Sequence, residues 1–133
     1  MQYCGVRRHL TGDWSIELEG DYVFDRRRDA VEVRGQGRLI RASEWQTRCM
    51  DELDILGEFE TRAAAGPSGS VREPGSAPGE FRFAYWRPEP ETSDFRLEAC
   101  TVRGGGYLQL EVWVPQADLG WARAVWRSVR FIA

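Results

Sequence analysis

Phe95-Arg96-Leu97-Glu98-Ala99-Cys100-Thr101-Val102-Arg103-Gly104-Gly105-Gly106-Tyr107-Leu108-Gln109-Leu110-Glu111-Val112-Trp113-Val114 is the stretch that decides the fold class. Phe95, Leu97, Ala99 and Thr101 alternate with Arg96, Glu98 and Cys100. After the glycines, Leu108, Leu110, Val112 and Val114 alternate with Gln109, Glu111 and Trp113. Period-two alternation marks strands with one buried face, and a glycine run between two such strands marks a tight hairpin. The same glycines lack the lysine and following helix of a phosphate loop.

Working outward, period two recurs. Trp14, Ile16 and Leu18 face one way and Ser15, Glu17 and Glu19 the other, with Tyr22 and Phe24 continuing the inward set past Gly20-Asp21. Asp25-Arg26-Arg27-Arg28-Asp29 reads as a charged, solvated hairpin tip. Val31, Val33 and Leu39 alternate with Glu32, Arg34 and Arg38. Ser43–Met50 fits a short helix or a strand, and the strand is preferred because Leu53, Ile55, Gly57, Phe59 and Thr61 keep period two. Phe81, Phe83 and Tyr85 form another inward set. The run Ala122–Ile132 is apolar on both faces and reads as a last strand. Residues 63–80 are mostly Ala, Gly, Pro and Ser, so a flexible loop is predicted there, inside a single domain spanning 1–133.

These elements predict an all-β protein, an antiparallel β-barrel of about seven to eight strands, with a β-sandwich carrying one short helix as the alternative. Polar groups in the inward set, among them Thr101, Tyr85 and Arg41, favour the barrel over a dry sandwich core.

Composition excludes several functions. The 133 residues carry 18 basic and 21 acidic side chains, a net charge of -3, which argues against a dedicated nucleic-acid or anionic-membrane binder. No apolar run is long enough for a transmembrane helix. Met1–Arg8 has no apolar stretch resembling a secretory leader, so a cytoplasmic protein is expected. Cys4, Cys49 and Cys100 form no C-x-x-C pattern and read as free thiols. His9 is the one histidine; a multi-histidine metal site is excluded, and no metal or cofactor is predicted.

Gly12-Asp13-Trp14, with Arg127 and Arg130 late in the chain, resembles the calycin (lipocalin-like) pattern. That resemblance implies a tryptophan closing the barrel floor with an arginine laid across its ring. Phe83-Ala84-Tyr85-Trp86-Arg87-Pro88 is similar to a stretch of nitrobindin-type haem barrels, which ligate haem through a late histidine. This chain has none after His9, so haem does not follow. In size, fold and want of acid–base motifs the chain also resembles small spirotetronate Diels–Alderase-type cyclases.

An aromatic-lined barrel with a few polar groups predicts a pocket for an apolar small molecule. The expected substrate-binding residues are Tyr22, Arg41, Trp45, Phe83 and Thr101, with Tyr85 as the catalytic group. The expected activity is that of a cofactor-independent cyclase of bacterial secondary metabolism, acting by substrate positioning. The alternative is a protein-binding module such as an immunity or inhibitor protein, with Trp86, Tyr107 and Trp113 as candidate anchors, or a homodimer through the same aromatics.

Overall fold

The computed structural model describes residues 5–46, 52–63, 69–90 and 92–132. Among the described residues ten strands form two antiparallel sheets. The smaller holds β1 (Val6–Thr11), β2 (Trp14–Leu18) and β10 (Arg130–Phe131), in the order β1-β2-β10. The larger holds β3 (Val23–Arg26), β4 (Val31–Gly35), β5 (Arg38–Gln46), β6 (Gly69–Pro74), β7 (Glu80–Pro88), β8 (Asp94–Arg103) and β9 (Gly106–Pro115). Its order is β3-β4-β5-β9-β8-β7-β6. The β8–β9 hairpin is its centre, and Gly104 and Gly105 take the positive φ that a two-residue hairpin loop demands.

The predicted closed barrel is not formed. Among the described residues β3 and β6 are the edges of the large sheet, and no ladder joins it to the small sheet. At the seam, side chain replaces ladder: Arg26 Nη1 donates to Leu10 O at 2.6 Å and Nη2 to His9 O at 2.9 Å. The architecture matches the sandwich alternative, with two α-helices rather than one.

Two helices stand where strands were expected, which removes the strands needed for closure. Leu53–Thr61 belongs to α1 (Glu52–Ala63). Its buried side chains, Ile55, Leu56, Phe59 and Ala63, recur at helical spacing. The run Ala122–Ile132 divides between α2 (Leu119–Arg127) and β10. Ala122, Val125 and Trp126 are buried on one side of α2, which explains apolar residues on both supposed strand faces. Within 63–80, read as a loop, Gly69–Pro74 is strand β6, paired with β7 from Gly69↔Trp86 to Pro74↔Phe81. Ser43–Gln46 is the end of β5, so the strand preference holds there; the rest of that segment lies outside the described residues.

Three layers result. One face of the large sheet packs against the small sheet and α2 through Ile40, Leu97, Leu110 and Val112 against Trp14, Ile16, Val125 and Trp126. The other face packs α1 onto Phe83, Tyr85, Cys100 and Val102. The set Phe81, Phe83 and Tyr85 therefore faces α1 and not the main core. With both faces covered, the middle of the sheet buries even the residues that alternation places outward.

Candidate functional site

The six predicted site residues do not converge. Tyr22 and Thr101 are buried on the side of the main core. Tyr22 is a structural latch: its ring stacks on Trp121 at 6.2 Å and its hydroxyl accepts from Arg38 Nη1 at 3.0 Å. Arg38 lies 3.9 Å over Trp121 and pairs with Asp118 at 3.1 Å. These partners hold its pKa above the ordinary value although burial acts the other way. Arg41, Trp45, Phe83 and Tyr85 share the opposite face of the sheet. Phe83 lies under α1, however, and Arg41 stands three strand spacings from Tyr85, about 14 Å.

That face carries a polar row, of which alternation placed Glu32, Glu98 and Glu111 outward but Arg41 and Tyr85 inward, without showing their partners. The registers align Glu32, Arg41, Glu111, Glu98 and Tyr85 across β4, β5, β9, β8 and β7. Tyr85 donates its hydroxyl to Glu98. Arg96 bridges Glu98 at 3.0 Å and Glu111 at 3.1 Å. Burial, then the facing Glu111 carboxylate, push the Glu98 pKa up, and the Arg62 guanidinium opposes them without offsetting both. No nucleophile joins the row. Among the described residues the thiol is that of Cys100, which is buried and pushed up to about 12, hence protonated and inert. Among the described residues no three His, Cys, Asp or Glu side chains gather as a metal site.

The raised Glu98 has a measurable consequence. A carboxyl with a higher pKa in the folded chain binds its proton more tightly there. Its contribution is therefore fully present at low pH and is lost as pH rises from the ordinary 4.5 through the raised value. Glu98→Gln is expected to remove that loss, so its stability relative to wild type improves from acid toward neutral pH. Urea midpoints of both proteins across that range check this; a pH-independent difference would show that Glu98 titrates normally.

A second location has the more open shape. Two clefts of about 420 and 360 Å³ meet at one end of the sandwich and share Glu44 and Trp45. The first runs between β5, the Thr11–Gly12 turn and the Arg26–Ala30 turn. The second is bounded by Asp13, Arg103, the Gly104–Gly106 turn and Phe131. Trp45 is 49% exposed, whereas Trp14 is buried and meets Phe131 edge-on at 5.4 Å. The guanidinium stacked on this pair is that of Arg103, 4.5 Å over Phe131, rather than that of Arg127 or Arg130. Burial and the neighbouring Asp13 carboxylate raise the Glu44 pKa. The aromatics that were expected outside, unlike Trp45, are engaged. Arg123 lies 4.7 Å over Trp86, Arg96 lies 5.7 Å over Trp113, and Tyr107 packs on Phe59.

Sequence reasoning missed Glu44, Glu98 and Glu111 as site-forming groups. Alternation labels all outward carboxylates alike, and only the cross-strand register shows which of them meet.

No family model matches the chain, and no curated protein matches it. Among solved structures it is similar to the solution structure of cyanobacterial PsbP (CyanoP) from Synechocystis sp. PCC 6803, with a TM-score of 0.63 over 98% of both chains. The two are 9% identical, so the likeness is one of fold. No described helix is long and apolar enough to cross a membrane.

Proposed function

We propose that this chain is a protein-binding module whose contact surface is the end of the sandwich around Trp45. What carries the reading is the exposure of that one large ring, 49%, at the junction of two open clefts, beside an interior filled by its own side chains. The apolar small molecule expected from the sequence needs a chamber inside a barrel. Here the space between the sheets holds Trp14, Ile16, Ile40, Leu110 and Trp126. Tryptophan is also the side chain most enriched among residues that dominate protein interfaces. We place this work in the cytoplasm, a reading supported by the buried, unpaired thiol of Cys100.

Trp45→Ala tests the surface without touching the core. Wild-type protein immobilised in lysate of its own host is expected to retain a stoichiometric protein partner. The variant should hold that partner about thirtyfold less tightly, the effect of losing an anchor worth about 2 kcal/mol. Equal retention would overturn the surface assignment. A small molecule found bound by native mass spectrometry, with no protein partner, would restore ligand binding as the function.

A further inference from the structure

We propose that β5 receives an extended segment of a partner protein as an added strand along Ser43–Gln46, with a carboxylate of that segment held by Arg28; this rests on the protein-binding reading. β5 outruns one of its neighbours. Its pairing with β4 ends at Val31↔Ala42, while its pairing with β9 continues to Gln46↔Gly106. Among the described residues the side of β5 away from β9 therefore carries no strand along residues 43–46. Alternate residues of an antiparallel strand direct both N–H and C=O to the same side, so two of these four aim their backbone groups into the vacant lane. Unpaired edges of this kind are what added strands bind.

A cleft of about 420 Å³, lined by Val31, Ala42, Glu44 and Trp45, opens where the β4–β5 pairing ends at Val31↔Ala42. Its far wall is basic. Arg26 is committed to two backbone carbonyls and Arg27 to Asp25 and Glu32. Among the described residues neither Arg26 nor Arg28 meets a carboxylate. Asp29 of the same turn and Glu44 are the acids that line the same cleft. Thr11 Oγ1, buried at the rim, has no hydrogen-bond partner among the described residues, an unmet demand that a bound chain would satisfy. Trp45 offers an apolar surface beside the lane. Backbone pairing gives such a segment affinity, and Arg28 selects one that bears a carboxylate.

The test uses the full-length ¹⁵N-labelled protein and blocked peptides of alternating valine and glutamate. Saturable amide shifts centred on Thr11, Arg28 and Ser43–Gln46 are expected. A valine–lysine peptide should bind at least about tenfold more weakly, and Arg28→Glu should weaken the glutamate peptide about tenfold. Methylating alternate peptide nitrogens, on the edge that faces β5, should abolish binding. No saturable shift, or equal binding of the lysine or N-methylated peptides, overturns the proposal. Amide protection of Ser43–Gln46 that grows with protein concentration alone assigns the lane to a second copy and also overturns it. If Trp45→Ala loses the cellular partner while no peptide binds, strand addition fails and the protein-binding surface stands. Specific peptide binding with partner capture unaffected by Trp45→Ala leaves the lane and removes that surface.

Discussion

Glu80→Ala is expected to destabilise the protein by about 3–5 kcal/mol, the loss typical of deleting one member of a buried ion pair. Glu80 is 2% exposed and Arg82 7%. Two cations face the carboxylate, Arg82 Nη2 at 3.9 Å and Arg103 Nη1 at 4.0 Å. Burial pulls the Arg82 pKa below its ordinary value while Glu80 and Glu73 pull it back, so removing Glu80 leaves that buried charge with Glu73, at 3.8 Å, as its remaining carboxylate. The turn before β7 depends on the same side chain. Glu80 Oε1 accepts from Ser76 N at 3.1 Å and Ser76 Oγ at 3.2 Å, and Gly75 N donates to Glu80 O at 2.6 Å. A Cβ on Gly75 would collide with the Glu80 side chain, so only glycine fits that close approach.

Urea unfolding measures the effect as a lowered midpoint with an unchanged slope. Glu80→Gln keeps the shape and an acceptor for Ser76, and should fall between wild type and alanine. Removing both charges with Glu80→Leu and Arg82→Met should cost less than Glu80→Ala alone, because the penalty lies in the buried guanidinium left with less counter-charge. A loss for alanine below about 1 kcal/mol, the size of a surface pair, would show that water takes the carboxylate's place.

Trp126→Ala is expected to cost about 3–5 kcal/mol by leaving a cavity between α2 and the large sheet. Trp126 is fully buried, and its Nε1 donates to Cys100 O at 3.4 Å on β8. It therefore links α2 to the central hairpin by both packing and a hydrogen bond. Trp126→Phe keeps much of the volume and loses the donor, so a smaller loss is expected. Calorimetric melts of both variants check this order. Equal losses would assign the effect to the indole hydrogen bond, and losses below about 1 kcal/mol would mean the core collapses around the gap.

The helices show where local patterning misleads. Ile55, Phe59 and Ala63 recur every four residues with Leu56 beside Ile55, yet Leu53, Ile55, Gly57, Phe59 and Thr61 also satisfy period two. The buried set, Ile55, Leu56, Phe59 and Ala63, obeys the helical spacing, and Leu56 has no place on a half-buried strand. Likewise Ala122, Val125, Trp126 and Val129 carry a helical stripe that an all-β expectation passes over. The polar row was half visible: alternation put Glu98 and Glu111 outward, while their meeting across β8 and β9 follows from a register that period two leaves free by multiples of two.

By itself the sequence determined the β-rich character, the Gly104–Gly105 hairpin, the inward faces of β2, β8 and β9, and the want of a multi-histidine metal site. Each is a property of a local run: side-chain alternation, the positive φ only glycine takes readily, or a count of ligands. The tertiary structure alone decided the rest. It opened the barrel into two sheets, brought Glu98 beside Glu111, left Trp45 exposed, and ended β4 before β5. Closure, edge pairing and cross-strand neighbours depend on which distant strands meet, and that depends on packing between surfaces rather than on the order of residues along either one.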